Sequence, residues 1–423
     1  MKVEIISWSS DKGGAARASY RLFKALRNYQ SHNLSIKMRV NNCNFQEEGI
    51  INPKTNLEIG WNLLRRYTGL KFQNIQRTSN PAFHSSALVP CLLDKKINNS
   101  SSEIINLHWI QGEMLSIKAI SRIKKPIIFT LHDLWAFSGT EHYPNGYEDD
   151  RYIKGYRRNN RPNSYQGLDL DRICWQMKKK YWKSKYHIVS PSNWLANCAK
   201  NSLLMKNWPI SVIPNPVPTN IFKKSPKDFS RKIFNLDLDK YYILFGSLNG
   251  SNDPRKGWDL LEHALKIMHN YNNKIEAIII GENEPTNPPN LGIKINYLGT
   301  FQDNQTLALI YSAVDLVLVP SRMENLPQSA TEAITCGTPV VAFNCSGLPD
   351  VVDHKKTGYL ADPFDSKSLT KGIEWILEDK ERLINLSENC RKKALRLWDS
   401  KIVAEEYMKI YKESYEKFKF DFI

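Results

Sequence analysis

The 423 residues exceed what one ordinary core organises, and the 41% hydrophobic and 24% charged residues are typical of a globular protein of two or three domains. No apolar run approaches the roughly 18 residues of a membrane span, and the seven cysteines include no Cys-x-x-Cys pair, so neither an integral membrane protein nor a zinc cluster is expected. The net charge of +16 is uneven, because residues 1–216 hold 32 Lys and Arg against 15 Asp and Glu. Scattered cysteines and the charge of Glu4 near the start favour a cytoplasmic protein over a secreted one.

The first half alternates short apolar segments with helical ones, which indicates parallel strands joined by helices. The predicted strands are Val3–Trp8, Leu34–Met38, Ile104–Leu107, Ile127–Leu131 and His187–Ser190, and the predicted helices are Ala15–Arg27 and Asp171–Lys185. After the first strand, Gly13 and Gly14 lead into a helix, where backbone can approach a ligand closely and the helix N-terminus favours anions. The run matches neither a dinucleotide fingerprint nor a P-loop, so a plain turn is the alternative.

His132 follows the fourth predicted strand directly. A neutral imidazole at the carboxyl edge of a strand can both donate and accept a hydrogen bond to a ligand. His132 is therefore a candidate binding residue, with a structural histidine as the alternative. His108, after the preceding strand, is a weaker candidate.

Residues 151–185 carry eleven Lys and Arg against two Asp. The aromatic residues in and directly after this stretch are Tyr152, Tyr156, Tyr165, Trp175, Tyr181, Trp182 and Tyr186. Basic and aromatic side chains together suit an anionic membrane surface, with Lys178, Lys179 and Lys180 as expected contacts. A solvated lysine-rich face is the alternative, and no nucleic-acid partner is expected because no binding motif matches.

Three prolines between Ile213 and Pro218 predict an extended connector between two domains. The second half repeats the alternation, with strands at Tyr241–Phe245, Ile275–Ile280, Ile293–Tyr297, Asp315–Val319 and Pro339–Phe343. The fold class is therefore α/β, with two doubly wound parallel-sheet domains. The predicted boundaries are 1–216 for the first domain and 217–400 for the second. Residues 401–423 have helical apolar spacing and are expected to pack back across the domain pair.

A loop after the first strand of the second half delivers Arg255 and Lys256 to the start of a helix near Gly257. Two cations beside helix-end amides suit the charge that develops on a leaving diphosphate. Ordinary surface charge is the alternative.

Glu324 and Glu332 are the most informative pair of residues in the chain. An apolar strand ends at Val319, Pro327 suits the first turn of a helix, and Gly337 suits the position past its end. Glu324 should therefore lie in a loop at the carboxyl end of a strand and Glu332 on the following helix. Two carboxylates there can accept hydrogen bonds from several hydroxyl groups, as a ribose and a sugar require. Two solvated acids near a helix start are the alternative.

Taken together, these motifs resemble the family-4 retaining glycosyltransferases of the GT-B fold, and more narrowly their bacterial exopolysaccharide and capsule (colanic-acid-like) branch. The resemblance spans nearly the whole chain. Its motifs are Gly13-Gly14, Thr130 to Asp133, Val189 to Trp194, Val212 to Pro216, Arg255 to Gly257, Val319 to Ser321, Glu324 to Glu332 and Gly337 to Val341.

The resemblance implies a nucleotide-sugar donor held in a cleft between the domains. In such a site Glu332 would bind the ribose hydroxyls, and Glu324 would hold the donor sugar. The backbone amides after Glu324, at Asn325 and Leu326, would assist.

On the phosphate side of the donor, the resemblance assigns the diphosphate to Lys256, with Arg255 beside it. Backbone near Gly299 would read the base. His132 would contact the sugar and the reaction centre, while Gly13 and Gly14 would face the phosphates or the acceptor.

The implied activity is transfer of a sugar from a UDP- or GDP-sugar to a lipid-diphosphate-linked glycan, with retained configuration and no metal or other cofactor. The protein would work at the inner face of the plasma membrane as a peripheral protein. A nucleotide-sugar epimerase on the same fold, and a non-catalytic sugar- or nucleotide-binding protein, are the alternatives.

Two departures from the family pattern affect these expectations. Ser247 stands where many relatives carry an arginine, so Arg255 is the expected substitute. The 140–170 insertion has no cysteine before Cys174, so a cysteine-bound metal of related proteins is not expected here.

Overall fold

The computed structural model describes residues 1–29, 34–246, 253–268 and 274–421. The chain divides into two compact units. The N-terminal unit consists of Met1–Pro216 together with Val403–Ile423, and the C-terminal unit consists of Val217–Ile402.

The N-terminal unit is built on a seven-stranded sheet whose neighbouring strands are all parallel. The strands of this unit are β1 (Lys2–Ile6), β2 (Ser35–Arg39), β3 (Ile50–Ile51), β4 (Gln76–Arg77), β5 (Ile104–Leu107), β6 (Ile127–Thr130), β7 (Gln166–Gly167), β8 (His187–Ser190) and β9 (Ile210–Val212). The order in the large sheet is β3-β2-β1-β5-β6-β8-β9, and β4 pairs with β7 in a separate antiparallel ladder. The helices before the connector are α1 (Gly14–Asn28), α2 (Asn56–Gln73), α3 (Leu93–Asn98), α4 (Ile117–Ile120), α5 (Arg151–Lys154), α6 (Leu170–Tyr181) and α7 (Asn193–Asn201).

The C-terminal unit contains a six-stranded sheet that is also parallel throughout. Its strands are β10 (Tyr241–Gly246), β11 (Ile275–Ile280), β12 (Lys294–Gly299), β13 (Leu316–Val319), β14 (Val340–Phe343) and β15 (Gly358–Ala361), in the order β12-β11-β10-β13-β14-β15. Its helices are α8 (Lys227–Ile233), α9 (Trp258–Ile267), α10 (Asn304–Ala313), α11 (Gln328–Thr335), α12 (Leu348–Val351), α13 (Ser366–Leu377) and α14 (Lys380–Leu397). The final helix of the chain is α15 (Ser400–Asp421).

The central strands are mostly apolar and are buried along their whole length, because a parallel sheet is covered on both faces. Every residue of β5, β6, β11, β13 and β14 is buried. The predicted fold class, two parallel-sheet α/β domains, is confirmed.

All ten predicted strands are present: three have the predicted ends, and the ends of the others differ by at most two residues. The strands β3, β4, β7, β9 and β15 were not anticipated, because segments of two to four residues carry little periodic signal. The longer helix α2 was not anticipated either. The predicted helix Asp171–Lys185 is wrong at its end, since α6 stops at Tyr181 and the chain leaves helical geometry at Trp182.

Helix α15 packs into the core of the N-terminal unit. Tyr407 and Tyr411 are fully buried in the same hydrophobic cluster as Val3 and Ile5 of β1. The hydroxyl oxygen of Tyr411 accepts a 2.8 Å hydrogen bond from the Asn106 amide nitrogen on β5. The last helix thus completes a core that begins at the first strand.

The described part of the chain has no helix that is both long enough and apolar enough to cross a bilayer.

Candidate active site

In both sheets the strand order reverses beside the first strand of the unit. In the N-terminal sheet β1 lies between β2 and β5, and in the C-terminal sheet β10 lies between β11 and β13. The carboxyl ends of strands at such a reversal form the crevice where open α/β sheets bind ligands. The loop that follows β13 carries Glu324, and the segment between β10 and α9 carries Arg255 and Lys256. The predicted residues of the second unit therefore follow the two strands that flank its reversal.

Glu324 is the meeting point of two cations. Lys256 Nζ donates to Glu324 Oε1 at 2.5 Å, and Arg255 Nη1 lies 3.0 Å from the same oxygen. Ser321 Oγ donates to this oxygen at 3.3 Å. Arg255 is oriented in turn by the carboxylate of Asp253 at 3.0 Å and by the carbonyl oxygen of Met323 at 2.9 Å. The structure therefore brings Glu324, Lys256 and Arg255 together, as the loop positions suggested.

Burial and charge act in opposite directions on Glu324. Burial by itself raises the pKa of this carboxyl group, but the charges of Lys256 and Arg255 outweigh it and lower the pKa to about 2. Glu324 is consequently a carboxylate at any physiological pH. With Asp253 paired to Arg255, the two cations and two carboxylates carry no net charge, so an anionic ligand here would be bound through the donor groups of Lys256 and Arg255.

Backbone contacts from the segment after β14 fix the Glu324 loop. The backbone N–H of Glu324 donates to Ser346 Oγ at 3.0 Å, and the N–H of Gly347 donates to the Glu324 carbonyl oxygen at 2.8 Å. A Cβ atom at Gly347 would overlap the carbonyl oxygen of Asn325. Gly347 is therefore required by the close approach of the two loops.

Gly257 plays a similar part on the other side of the cations. Gly257 lies between the short 3-10 turn at Pro254–Lys256 and α9, and its φ is 70°. A Cβ atom at this position would overlap the carbonyl oxygen of Pro320. A residue with a side chain would be strained in this backbone and would also push apart the two loops that carry Lys256 and Glu324.

Glu332 lies on α11, as predicted, and is buried. The Tyr311 hydroxyl group on α10 donates to Glu332 Oε2 at 3.0 Å. Pro327 precedes the helix directly, and Gly337, with a φ of 79°, lies just past its end. The helix boundaries read from Pro327 and Gly337 are thus confirmed.

The remaining predicted residues of this unit are placed as follows. Asn325 and Leu326 are buried directly after Glu324. Gly299 ends β12, has a φ of 75°, and its carbonyl oxygen accepts from the Gly281 N–H at 2.8 Å. It lies at the same edge of the sheet as Glu324 but three strands away. Ser247 lies outside the described residues, so its relation to Arg255 stays a prediction.

In the N-terminal unit, His132 faces a second histidine. His132 Nε2 and His108 Nδ1 are 3.0 Å apart, close enough for one hydrogen bond whose direction the tautomers set. Burial lowers the pKa of His132 to about 4 against the opposing charge of Asp133, and burial and His132 lower that of His108. Both imidazoles are therefore neutral near pH 7.

Asp133, directly after His132, links this segment to Trp109 and His142 and was not singled out from the sequence. Its Oδ2 accepts from Trp109 Nε1 at 3.2 Å and contacts His142 Nδ1 at 2.6 Å. The available signal was position: His108-Trp109 and His132-Asp133 follow adjacent parallel strands, whose carboxyl ends meet at one edge.

Gly13 and Gly14 lie at the start of α1, at the same edge of the N-terminal sheet. Gly13 has a φ of 94°, and Gly14 is the first helical residue. A Cβ atom at either glycine would meet nothing within 4 Å. The space over this turn is open, which permits the close backbone approach expected of a ligand-binding loop.

The predicted basic and aromatic surface of residues 151–185 is wrong in its aromatic part. Tyr156, Tyr165, Trp175, Trp182 and Tyr186 are all buried, because they pack in and around the core of the N-terminal unit. Exposed cations remain in this segment, namely Lys154, Arg157, Arg158, Lys179, Lys180, Lys183 and Lys185.

Lys178, expected to contact lipid, is fully buried. Its ammonium group donates to the carbonyl oxygens of Trp135, Ser138 and Gly139. It therefore holds the turn after the His132 segment and cannot reach a membrane.

The 140–170 insertion builds a buried charge cluster. Ligand atoms of His84, Glu141 and Asp171 lie within 4.8 Å of one another, a spacing that a cation would also satisfy. Arg151 Nη1 lies 3.4 Å from the Asp171 carboxylate, and Arg151 Nη2 lies 3.8 Å from that of Glu141. Burial and the neighbouring Asp171 charge raise the pKa of Glu141 well above its usual range, although Arg151 opposes this. The Arg151 guanidinium group supplies positive charge to both carboxyl groups, and of the two that of Asp171 has the lowered pKa.

Comparison with known proteins indicates the family to which part of this chain is similar. A family model described as "Glycosyl transferases group 1" matches residues 226–394. Among curated relatives, a D-inositol 3-phosphate glycosyltransferase of Thermobispora bispora is 28% identical over 224 residues, covering 49% of this chain and 51% of the relative. An N,N'-diacetylbacillosaminyl-diphospho-undecaprenol alpha-1,3-N-acetylgalactosaminyltransferase of Campylobacter jejuni is 31% identical over 117 residues, covering 28% of this chain and 30% of the relative. The chain thus spans about half the length of the first relative and less of the second.

Solved structures match over the whole chain at low identity. HepE of Anabaena, in complex with UDP and glucose, has a TM-score of 0.62 at 16% identity and covers 97% of this chain and 99% of its own. WaaG, a glycosyltransferase involved in lipopolysaccharide biosynthesis, has a TM-score of 0.62 at 15% identity and covers 96% and 99%. The matches support assignment of residues 226–394 to the glycosyl transferases group 1 family, in a chain that shares the fold of GT-B glycosyltransferases.

Proposed function

We propose that this protein is a retaining glycosyltransferase that moves a sugar from a nucleotide-sugar donor to a lipid-linked glycan acceptor. The observation that carries the proposal is the convergence of Lys256 and Arg255 on the Glu324 carboxylate, beside the strand-order reversal. This cluster lies inside the region that matches the glycosyl transferases group 1 model.

The donor half of the reaction is assigned to the C-terminal unit. Lys256 and Arg255, which contact Glu324 and Asp253, would neutralise the diphosphate as it departs. One such preorganised donor contributes about 2.7–4 kcal/mol to transition-state stabilisation. Glu324 and the amides of Asn325 and Leu326 would hold the sugar. Glu332 would accept hydrogen bonds from ribose hydroxyl groups.

Bond making is assigned to the acceptor hydroxyl group. Its oxygen bonds to the anomeric carbon on the face from which the diphosphate leaves, the diphosphate takes the electrons of the broken bond, and the hydroxyl proton passes to a phosphate oxygen. This sequence retains configuration without a protein nucleophile. A neutral His132 would orient the sugar by a hydrogen bond, which the low pKa of its imidazole favours.

We propose that transfer needs no metal ion. The cations of Lys256 and Arg255 supply the positive charge that a divalent ion supplies in other nucleotide-sugar sites. Turnover that is unchanged in excess EDTA supports this assignment, and turnover that EDTA abolishes and Mg²⁺ restores contradicts it.

The acceptor class is inferred from two relatives and from the charge of the N-terminal half, not from the geometry of the site. The name of the Campylobacter jejuni relative includes a diphospho-undecaprenol acceptor, whereas the name of the Thermobispora bispora relative includes an inositol phosphate. The surplus of basic residues in residues 1–216 favours the lipid-diphosphate class, because it suits both a diphosphate and an anionic membrane. We accordingly propose a peripheral protein at the inner face of the plasma membrane, in surface polysaccharide synthesis.

Two other functions fit the same fold. A nucleotide-sugar epimerase would change the donor in the absence of any acceptor, and a non-catalytic protein would bind the nucleotide without changing it. Product analysis separates all three, because transfer alone creates a new glycosidic bond.

The test begins with thermal unfolding in EDTA, in the presence of UDP, GDP and their common sugar conjugates. We expect one nucleotide to stabilise the wild type and to lose this effect in Glu332→Ala, whereas Glu388→Ala, an exposed glutamate on α14, keeps it. The stabilising donor is then incubated with an undecaprenyl-diphosphate-linked sugar, and the anomeric configuration of the product is read by NMR. No stabilisation by any nucleotide would contradict the proposal, and an inverted product would contradict retention.

A further inference from the structure

Helix α2 exposes its apolar side chains instead of burying them. Its exposed apolar residues are Leu57, Ile59, Trp61, Leu63, Leu64, Tyr67, Leu70 and Phe72. The side chain of Leu57 is 87% exposed, that of Leu63 61% and that of Leu64 53%. Single exposed leucines are ordinary on protein surfaces, but a helix whose apolar residues nearly all face solvent marks an interaction site.

The side of α2 that faces the protein is polar. Glu58, Asn62, Arg65 and Gly69 follow one another at spacings of four, three and four residues, which places them on one face of the helix. Arg65 and Gly69 are the buried residues of the helix. The usual amphipathic arrangement of a surface helix is therefore inverted.

Specific contacts fix this orientation. The Arg65 guanidinium group donates to the carbonyl oxygens of Val89, Pro90 and Met114 at 3.3, 3.0 and 3.4 Å. A Cβ atom at Gly69 would overlap the side chain of Glu113, so the helix packs closely at this point. Rotating α2 to bury its leucines would break all three hydrogen bonds of the Arg65 guanidinium group, and a buried cation without partners is costly. The apolar face stays outward.

The charge around this face is positive. Lys54, Arg66 and Lys71 are exposed on α2 or directly before it, and Lys95 is exposed on α3. The one acid in α2, Glu58, is paired with Lys96. An apolar face flanked by cations is complementary to an anionic lipid bilayer, which offers an acyl boundary and negative headgroups together.

We propose that α2 docks the N-terminal unit onto an anionic membrane surface. The helix would lie in the plane of the interface, with Leu63, Leu64 and Tyr67 entering the acyl boundary and the flanking cations contacting lipid phosphates. The exposed lysines of residues 151–185 add long-range attraction but bring no apolar anchor. This inference rests on the peripheral location proposed above and names the surface responsible. Its test is separate from that of the transfer reaction, because vesicle binding is measured without donor or acceptor.

The experiment is co-sedimentation of the full-length protein with phosphatidylcholine vesicles that contain phosphatidylglycerol, and with pure phosphatidylcholine vesicles. We expect binding to the anionic vesicles, and a partition coefficient lower by about tenfold or more in the double variant Leu63→Ser/Leu64→Ser. The matched control is Ile384→Ser/Leu395→Ser, which changes two apolar residues of α14 that are 58% and 42% exposed, and it should bind like the wild type. Equal unfolding temperatures for the variants show that the fold is kept.

Three results would overturn the proposal. One is wild-type protein that does not bind anionic vesicles even at low salt. Another is binding that survives Leu63→Ser/Leu64→Ser but is lost when Lys179, Lys180 and Lys183 are changed to Gln, since association would then be purely electrostatic. The last is a wild-type dimer in size-exclusion chromatography that the leucine substitutions abolish, which would assign the face to a second copy of the chain.

Discussion

At the residue scale, Glu324 shows how two neighbours determine the chemistry of a buried group. The carboxyl group is nearly inaccessible, yet its pKa falls because Lys256 and Arg255 share one of its oxygens. Removing the carboxylate leaves two partly buried cations facing each other. Glu324 therefore stabilises the folded protein through its ion pairs with Lys256 and Arg255, and this effect can be measured separately from its proposed contact with the sugar.

Glu324→Gln should lower the free energy of unfolding near neutral pH by about 3 kcal/mol, because the pKa falls from 4.5 to about 2 in the folded protein. A lowered folded-state pKa gives stability that is complete above the ordinary pKa and is lost as pH falls toward the folded value. The difference in the free energy of unfolding between wild type and variant should thus decrease as the pH falls below 4.5. Urea unfolding at several pH values measures it, with Glu388→Gln as the exposed control. A difference that does not change with pH would contradict the ion-pair explanation.

His132→Ala should reduce kcat much more than donor affinity, since the imidazole is proposed to act at the reaction centre. Its pKa of about 4 also predicts that the wild type shows no loss of turnover from His132 protonation between about pH 7 and 5. Steady-state kinetics across this range check both points. Equal losses in kcat and affinity, or a wild-type transition near pH 6.5 that disappears in the variant, would refute this role.

The sequence identified single residues of the candidate site better than their partners. His132 and Glu324 were found because each follows an apolar strand, which is a local signal. The contact of His132 with His108, and that of Glu324 with Ser346, join residues from different loops. No local pattern encodes such pairs, because they depend on strand order.

At the element scale, close approach between loops is what positions the cation cluster. The segment after β14 touches the Glu324 loop through Gly347, whose hydrogen atom in place of a side chain leaves room for the Asn325 carbonyl group. The loop can therefore present Glu324 to Lys256 only if this contact stays short.

Gly347→Ala should destabilise the protein by about 2 kcal/mol and weaken nucleotide binding, because backbone must move to accommodate the new methyl group. Gly60→Ala is the matched control: a Cβ atom at Gly60 meets nothing within 4 Å, and alanine at this exposed helical position should stabilise by roughly 0.5–1 kcal/mol. Thermal unfolding and nucleotide titration compare the two. Wild-type affinity in Gly347→Ala would show that the loop contact is dispensable.

Helix α2 illustrates the limit of periodicity as a signal. Periodicity reveals that a helix has two kinds of face but not which of them the protein covers. In α2 the decision depends on Arg65, whose three carbonyl partners lie 24 to 49 residues further along the chain. The outward apolar face follows from those contacts together with the close packing of Gly69 against Glu113.

At the scale of the whole molecule, the last helix belongs to the first unit. The chain passes through the C-terminal unit and returns with Val403 to Ile423. Tyr407 and Tyr411 then fill the core beside β1 and β5, and their hydroxyl groups contact Thr130 and Asn106. The N-terminal unit is therefore incomplete without the end of the chain.

A chain that ends at Asp399 should have an unfolded or aggregated N-terminal unit, because loss of two buried tyrosines and their neighbours removes on the order of 5 kcal/mol or more. A chain that ends at Glu416 keeps Tyr407, Tyr411 and Tyr415 and should unfold near the wild-type temperature. Differential scanning calorimetry compares the three lengths. Two wild-type transitions in the Asp399-terminated protein would show that α15 is not needed.

Local sequence patterns were enough to predict the two α/β units, the loop position of Glu324 and the helical position of Glu332, and they also predicted a connector around Pro216. Each of these features depends on residues that are close in the chain. Strand periodicity, proline geometry and helix ends can therefore be recognised directly in the sequence. Tertiary structure decided which strands flank the site and how Lys256 meets Glu324 across 68 residues of sequence. Long-range packing also buries most of the aromatic residues of 151–185, and α2 presents its apolar face outward. These features depend on packing between residues that are distant in the chain and on the hydrogen bonds of buried polar groups. No local sequence pattern encodes either of them.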